Sequence, residues 1–323
     1  MVAHKTMAAR TRWPLLLGGG LAAFGGGTFA ALSVAGGGKA GDENGGATAP
    51  ASSTPSSPPA PSIPTFDAIA PSYDARIARE EFFMGIPLLR RYTVRKARGH
   101  VLEVAAGTGR NLHYYPPTPA VASLTLADPS GAMLAVAHAK AEDRGDAASP
   151  PIALVRVSAE ELTTGPGTLV PPGAARWPAP RSPPPPGRVP AGAFDTVVDT
   201  FGVCSMADPV AGLAQLGAAL APGGRLLLLE HGRSGGWAWL DARLDAGAAA
   251  HAARWGCCWN RDIRGAVAAA GLEVVSATTW HFGTTHVLEC RRAGEGDRGE
   301  GGGRGGRGGG REGSSTEKDE GEK

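Results

Sequence analysis

An α/β domain, a mostly parallel sheet with helices on both faces, is what this sequence predicts, and three observations carry that expectation. Short apolar runs rich in Val, Ile and Leu alternate with helical stretches over about 200 residues, the pattern of consecutive strand–helix units. The first run, Val101 to Val104, leads into the glycine turn Gly107-Thr108-Gly109. Acidic or hydroxyl residues then recur where the strands should end, at Glu103, Asp128, Ser158, Asp199 and Glu230. Ligands of such sheets bind at the carboxyl ends of the strands.

The elements follow in order. Val121 to Ala127 is a second apolar run closed by Asp128, about 20 residues beyond the glycine turn. A turn of this kind lets a ligand approach the backbone, and an acid ending the next strand can hold a ribose diol, so a nucleoside ligand is expected. A dinucleotide fingerprint would need a third glycine and a pyrophosphate at the helix amino end, whereas here a Glu lies within the strand. Gly131 to Arg144 reads as a helix and Ile152 to Val157 as a short strand, followed by Ser158-Ala159-Glu160-Glu161-Leu162. Phe194 to Phe201 reads as a buried central strand, its β-branched residues lying between acids that face the strand ends. Pro209 to Leu220 is a helix stopped by Pro222-Gly223-Gly224, and Arg225 to Glu230 is a further buried strand.

Upstream, Phe66-Asp67-Ala68-Ile69-Ala70-Pro71-Ser72-Tyr73-Asp74 resembles the helix that closes over the cofactor in ubiquinone/menaquinone-type methyltransferases, and Val101 to Asn111 resembles the first motif of S-adenosylmethionine-dependent methyltransferases. Leu229-Glu230-His231-Gly232-Arg233-Ser234, His251, Gly256 to Asp262 and His281-Phe282-Gly283-Thr284-Thr285 are similar to segments of mitochondrial membrane-anchored methyltransferase-like proteins of the oxidase-assembly suppressor type. Animal membrane-bound thiol methyltransferases look like more distant relatives. The likeness covers about Phe66 to Arg292. It implies a class I methyltransferase fold, a Rossmann-like seven-stranded mostly parallel sheet, with S-adenosyl-L-methionine as cofactor. It carries Glu103, Gly107 and Gly109 to the methionine part, Asp128 to the ribose, Ser158 and Ala159 to the adenine, and Thr200 to the loop beside the sulfonium. Ala105, Asn111 and Pro129 complete the cofactor-binding set. Ser158 stands where many relatives carry an acid, so its hydrogen bond to the adenine lacks charge assistance. For Asp128 the plain alternative is a strand-end carboxylate or a cap formed with Pro129-Ser130.

Composition agrees with one catalytic domain, residues 65–292, carrying attachments. Much of the excess among the 49 glycines and 27 prolines falls in a Pro/Ser/Ala linker (residues 39–64), a Pro-rich insertion (163–193) and a Gly/Arg/Glu tail (293–323), which are expected to be disordered because they bury too little apolar surface. A net charge of +2 points to no particular partner. Residues 1–12 form a basic targeting segment, and Trp13 to Gly38 runs 26 residues without a charge, long enough to span a bilayer at about 20 residues. A cleaved targeting sequence or a disordered leader are the alternatives to a retained anchor. The resemblance favours a mitochondrial, inner-membrane location over another organelle or the cytoplasm. Arg304, Arg307 and Arg311 among glycines match the composition of RNA-binding segments, but without aromatic residues and with acids around them a solvated tail is the better reading.

The four cysteines suggest no disulfide framework. Cys204 and Cys290 are expected in apolar strands as small hydrophobes, and the spacing of His251, Cys257 and Cys258 matches no common zinc pattern, so no metal is expected. Methyl transfer chiefly requires alignment and, where the acceptor carries a proton, a base. His231, just past a strand end, is the candidate base, with a structural turn role as its alternative. Tyr73, Arg233, His251 and Asn260 are the candidate substrate-side residues, although Asn260-Arg261-Asp262 also reads as a helix cap. The sequence therefore supports a methyltransferase acting on a small hydrophobic or membrane-associated acceptor, such as a quinone precursor, a lipid or a thiol. The alternative is a non-catalytic relative serving as a membrane-bound assembly factor for respiratory complexes.

Overall fold

The computed structural model describes residues 63–144, 149–165, 167–169 and 189–295. The targeting segment, the uncharged run, most of the linker and insertion, and the Gly/Arg/Glu tail from residue 296 onward lie outside them. Among the described residues no helix is long and apolar enough to cross a membrane.

Among the described residues eight strands form one sheet: β1 (Gly99–Val104), β2 (Val121–Asp128), β3 (Ile152–Arg156), β4 (Thr168–Leu169), β5 (Phe194–Thr200), β6 (Leu220–His231), β7 (Leu272–Trp280) and β8 (Thr285–Arg292). Their spatial order is β4-β3-β2-β1-β5-β6-β8-β7. The run β3-β2-β1-β5-β6 is parallel, and β8 is antiparallel to both its neighbours. This is the expected seven-stranded sheet with one addition. Thr168–Leu169, inside the segment expected to be only an insertion loop, pairs antiparallel with β3 and extends that edge.

The helices are α1 (Ile63–Ile69), α2 (Tyr73–Phe83), α3 (Ile86–Val94), α4 (Gly131–Glu142), α5 (Pro209–Ala219), α6 (Ala238–Trp255) and α7 (Ile263–Ala269). The single leading helix expected over residues 66–74 is instead α1 and α2 joined by a 3-10 turn at Ala70-Pro71-Ser72. Three parallel-sheet helices begin on side-chain caps, which satisfy otherwise orphaned amide donors. Ser130 accepts from Met133 N–H, Asp208 from Val210 and Ala211, and Asp262 from Gly265.

The four consecutive leucines of β6, Leu226 to Leu229, show why the sheet is covered on both faces. Leu226 and Leu228 join the core formed with Leu213, Leu216 and Val267 of α5 and α7. Leu227 points the other way, among Val94, Leu124 and Leu134. A strand with its side chains alternating between two buried faces must be apolar throughout, as this one is. β1 lies where the strand order reverses, and Val104 is in register with Ala127 of β2 and Asp199 of β5. Chain crossovers leave the sheet in opposite directions there, which opens a crevice beyond the carboxyl ends of the strands.

Candidate functional site

A cavity of about 1500 Å³ occupies that crevice. One wall is built by strand ends. Glu103, Ala105, Gly107, Asp128, Pro129, Ser158, Ala159 and Thr200, all expected on the cofactor side, line it. Ala105 and Gly107 take left-handed φ values of 50° and 54°, which turn the chain sharply off β1. Gly107 has open space where a Cβ would stand, so the turn presents bare backbone to the cavity.

Asp128 fixes this turn. Its Oδ2 accepts Gly107 N–H and its Oδ1 accepts Ser130 N–H, both at 2.8 Å. A carboxylate has about four acceptor positions, so two remain for a ligand diol. Burial raises the Asp128 carboxyl to about 6 against these two hydrogen bonds. The cap of α4 belongs to Ser130, not to Asp128.

Glu103 is wholly buried and accepts from Tyr115 Oη at 2.6 Å and Asn111 Nδ2 at 2.9 Å. Burial raises it to about 7 despite these donors. Asn111 itself lies behind the wall, where it binds Glu103, Thr200 and Arg90, so it positions Glu103. Gly109 also departs from expectation, for it packs against α4. A Cβ there would stand 2.7 Å from Leu112 Cδ1 and 3.1 Å from Ala137 Cβ. Asp199 and Glu230 are fully buried and hold the turn after β5, since both accept Gly202 N–H.

Five charged residues close this side, and sequence reasoning named none of them as site groups. Asp74 of α2 accepts from Thr108 Oγ1 at 2.7 Å and Arg110 Nη1 at 3.0 Å, and it also pairs with Lys140. Glu81, about two turns further along the same face of α2, takes Arg90 Nη2 at 2.9 Å and Arg110 Nη2 at 2.5 Å. Burial works to raise both acids, but the surrounding cations outweigh it and hold each below the ordinary carboxylate range. Arg90 continues to Thr200 Oγ1 at 2.7 Å, so α2 is tied to the ends of β1 and β5 together. Asp74 ends the segment that resembles a cofactor-closing helix, whereas nothing in the sequence singles out Glu81, Arg90, Arg110 or Lys140.

The other wall is apolar and aromatic. Trp239, Leu244 and Trp255 of α6 line it together with Phe66, Ile77 and Phe201. Tyr73 lines it at the start of α2, its hydroxyl raised to about 12 by burial. His231 and His251 line it too. The His251 ring stacks on Trp259 with centroids 4.0 Å apart, and burial lowers it to about 3, so it is neutral. The structure does not bring Arg233 and Asn260 to the cavity. Both bind Asp245 Oδ1, at 2.6 and 2.8 Å, because the loop after β6 turns outward to meet α6. Asp262 caps α7, as the alternative reading of that segment has it.

One grouping was outside the sequence reading altogether. Cys204 is not in a strand; it lies in a buried 3-10 turn (Val203–Ser205) following Phe201-Gly202. There it meets His231 and Cys257, and one potential ligand atom from each lies within 4.8 Å of the others.

Residues 75–277 match the family of methyltransferase domains. The chain belongs to that family. Its cofactor is S-adenosylmethionine, and the strand-end wall fits a nucleoside bearing a polar chain. This methyltransferase domain is similar to "Methyltransferase OMS1, mitochondrial" of Saccharomyces cerevisiae, with 33% identity over 226 residues, 70% of this chain and 45% of that protein. The chain thus spans under half the length of that curated relative. Among solved structures it is similar to a DhpI–SAH complex, at 18% identity, TM-score 0.47 and coverage of 72% of this chain and 95% of that one. The O-methyltransferase NcsB1, solved with S-adenosylmethionine and a naphthoic acid, is similar at 17% identity, TM-score 0.46 and coverage of 71% and 59%.

Proposed function

We propose that this protein transfers the methyl group of S-adenosylmethionine to a small hydrophobic acceptor of the quinone-precursor, lipid or thiol kind. The observation that supports this reading is the division of one cavity into a polar strand-end wall and an aromatic wall made by α6. When bound, S-adenosylmethionine supplies an electrophilic methyl carbon on a sulfonium sulfur. The chain's own part is to hold, orient and shield. Asp128 offers its two spare acceptor positions to a diol, and the Ala105-Gly107 turn offers backbone. The Asp74 and Glu81 ion pairs hold α2 over the turn, excluding water from the polar end. The aromatic wall selects an apolar acceptor because polar groups there would lose hydration without finding partners. His231 lies at the end of β6 on the acceptor side and is the proposed group for relieving the acceptor of a proton. Because proximity and alignment supply most of the acceleration in such a displacement, few residues need take part chemically.

The similarity to the yeast relative supports a mitochondrial location, and a membrane-associated acceptor suits the apolar wall. Tethering by Trp13 to Gly38 would place the cavity beside the inner membrane. The test is a titration of the purified full chain with S-adenosylmethionine, followed by incubation with mitochondrial membrane extract. Saturable micromolar binding and formation of S-adenosylhomocysteine support an enzyme. Tight binding with no turnover on any extract would favour the assembly-factor alternative.

A further inference from the structure

Cys204, His231 and Cys257 come from three separate segments: the turn after β5, the end of β6 and the loop after α6. Cys204 and Cys257 are buried thiols, and all three residues line the cavity. Cys257 Sγ lies 2.5 Å from His231 Nε2, and all three donor atoms fall within one 4.8 Å group. The loops are fastened together by backbone as well, since Cys258 N–H donates to Cys204 O at 2.9 Å. Zinc bonds to sulfur at about 2.3 Å and to imidazole nitrogen at about 2.0–2.1 Å, which sets tetrahedral ligand atoms roughly 3.5–3.8 Å apart. The three donor atoms, all within 4.8 Å of one another, lie close to that spacing.

The geometry points to a zinc site of two thiolates and one imidazole, with its fourth position open to the acceptor side of the cavity. Donor chemistry and charge both favour it. Thiolate and imidazole suit a borderline-soft divalent ion better than magnesium or calcium, which prefer oxygen. Two thiolates cancel the ion's charge, so the complex is neutral in a largely apolar pocket, where an uncompensated charge would be costly. Binding breaks two S–H bonds, forms two Zn–S bonds and releases both protons to solvent, with no change of oxidation state. Three protein ligands plus one exchangeable position is the arrangement of catalytic rather than structural zinc. The free position takes water or the nucleophilic atom of an acceptor, and that atom loses its proton more readily on the metal. His231 then serves the proton-relieving role proposed for it through the ion it holds, and the acceptor's proton passes to solvent.

The site stands on donor geometry and holds whether or not methyl transfer is the reaction. Metal analysis of the full-length protein, purified under reducing conditions and dialysed against Zn²⁺, should find about one zinc per chain. Cobalt in its place should show a thiolate-to-metal charge-transfer absorption. Cys257→Ser and Cys204→Ser should each lower zinc affinity at least a hundredfold and abolish that absorption, whereas Cys290→Ser on β8 should keep both. Should the serine variants misfold, displacement of zinc from the unaltered protein by a chelator, with recovery of two titratable thiols per ion, makes the same test. Less than a tenth of an equivalent of zinc in folded protein, or a Cys204–Cys257 disulfide in protein kept reduced, would overturn the assignment. S-adenosylmethionine titration of the same sample separates the two readings: cofactor binding without zinc removes only the metal site, and zinc without cofactor binding removes only the methyltransferase reading.

Discussion

Replacing Asp128 with Asn tests the cofactor wall at its most constrained point. The carboxylate receives two backbone N–H groups at 2.8 Å, one on each oxygen. An amide keeps one of these acceptors and sets an NH₂ against the other donor, leaving either Gly107 N–H or Ser130 N–H without a partner. It also withdraws acceptor positions that a ribose diol requires. A hydrogen bond to a charged group contributes about 1.5–3 kcal/mol, so S-adenosylmethionine should bind roughly ten- to a hundredfold more weakly by isothermal titration calorimetry. The same loss should appear without ligand as a fall in thermal midpoint of about 2–4 °C per kcal/mol for a domain of this size. A pH series adds a second arm. With Asp128 raised to about 6, the unaltered protein should lose affinity as pH falls from 8 towards 5, because protonation removes acceptors. The variant should show a shallower dependence, with the remainder due to Glu103, which titrates nearby. A folded Asn variant that binds S-adenosylmethionine within twofold of the unaltered affinity would refute the role given to Asp128.

Other outcomes follow from the same geometry. His231→Asn should leave S-adenosylmethionine affinity unchanged while lowering turnover about a hundredfold or more, measured as S-adenosylhomocysteine formed; parallel loss of binding and folding would make His231 a structural residue. Gly109→Ala adds a methyl group 2.7 Å from Leu112 Cδ1 at a φ of 73°, and should destabilise the domain by about 1–3 kcal/mol in urea unfolding; an unchanged midpoint would remove the packing role. Cofactor-free stability should fall as pH rises from 5 to 7, the buried acids outweighing the opposite contribution of neutral His251 below its ordinary value. Glu103 and Asp128 are raised on folding, so their favourable contribution is complete below the ordinary carboxylate range and is lost as pH climbs through about 6 to 7; for Glu103 the change is roughly 3 kcal/mol. Asp74 and Glu81 are lowered on folding, so theirs is lost as pH falls below about 4. A midpoint that rises steadily from pH 5 to 8 would contradict this.

The strand-end residues were legible because parallel strands buried on both faces are written as unbroken apolar runs, and a polar residue can interrupt such a run only at its end. That logic placed Glu103, Asp128 and Ser158 on the wall. It placed Asp199 and Glu230 at the same level but not their facing: both turn into the protein, where burial raises the pair and they bind Gly202 N–H in common. Helix α6 was missed because AWLDARLDAGAAAHAARW carries a weak apolar stripe, with only Leu240, Leu244 and Ala248 buried at four-residue spacing. Its remaining aromatic residues face the cavity rather than a core, so their pattern reports a ligand surface more than a packed face. Arg233 and Asn260 were misplaced for a related reason. Once α6 exists, Asp245 on its outer side is a nearer partner for both than anything in the cavity.

Cys204 shows where sequence distance misleads most. Metal-ligand patterns are recognised when donors lie a few residues apart, as no two of Cys204, His231 and Cys257 do. The trio is assembled by sheet topology, since β5 and β6 are parallel neighbours whose carboxyl ends align, and the chain leaving α6 returns across both. The same alignment that opens the crevice at β1 and β5 therefore brings donors from distant segments to its far side. The two ends of the cavity then differ in how they are held. Ion pairs from Asp74 and Glu81 bind α2 over the nucleoside end, while at the acceptor end α6 is held at Gly256 and by the Cys258–Cys204 backbone bond. An ion shared by Cys204, His231 and Cys257 would tie the α6 loop to both strand ends, so that the shape of the acceptor pocket and the metal content of the protein rise and fall together.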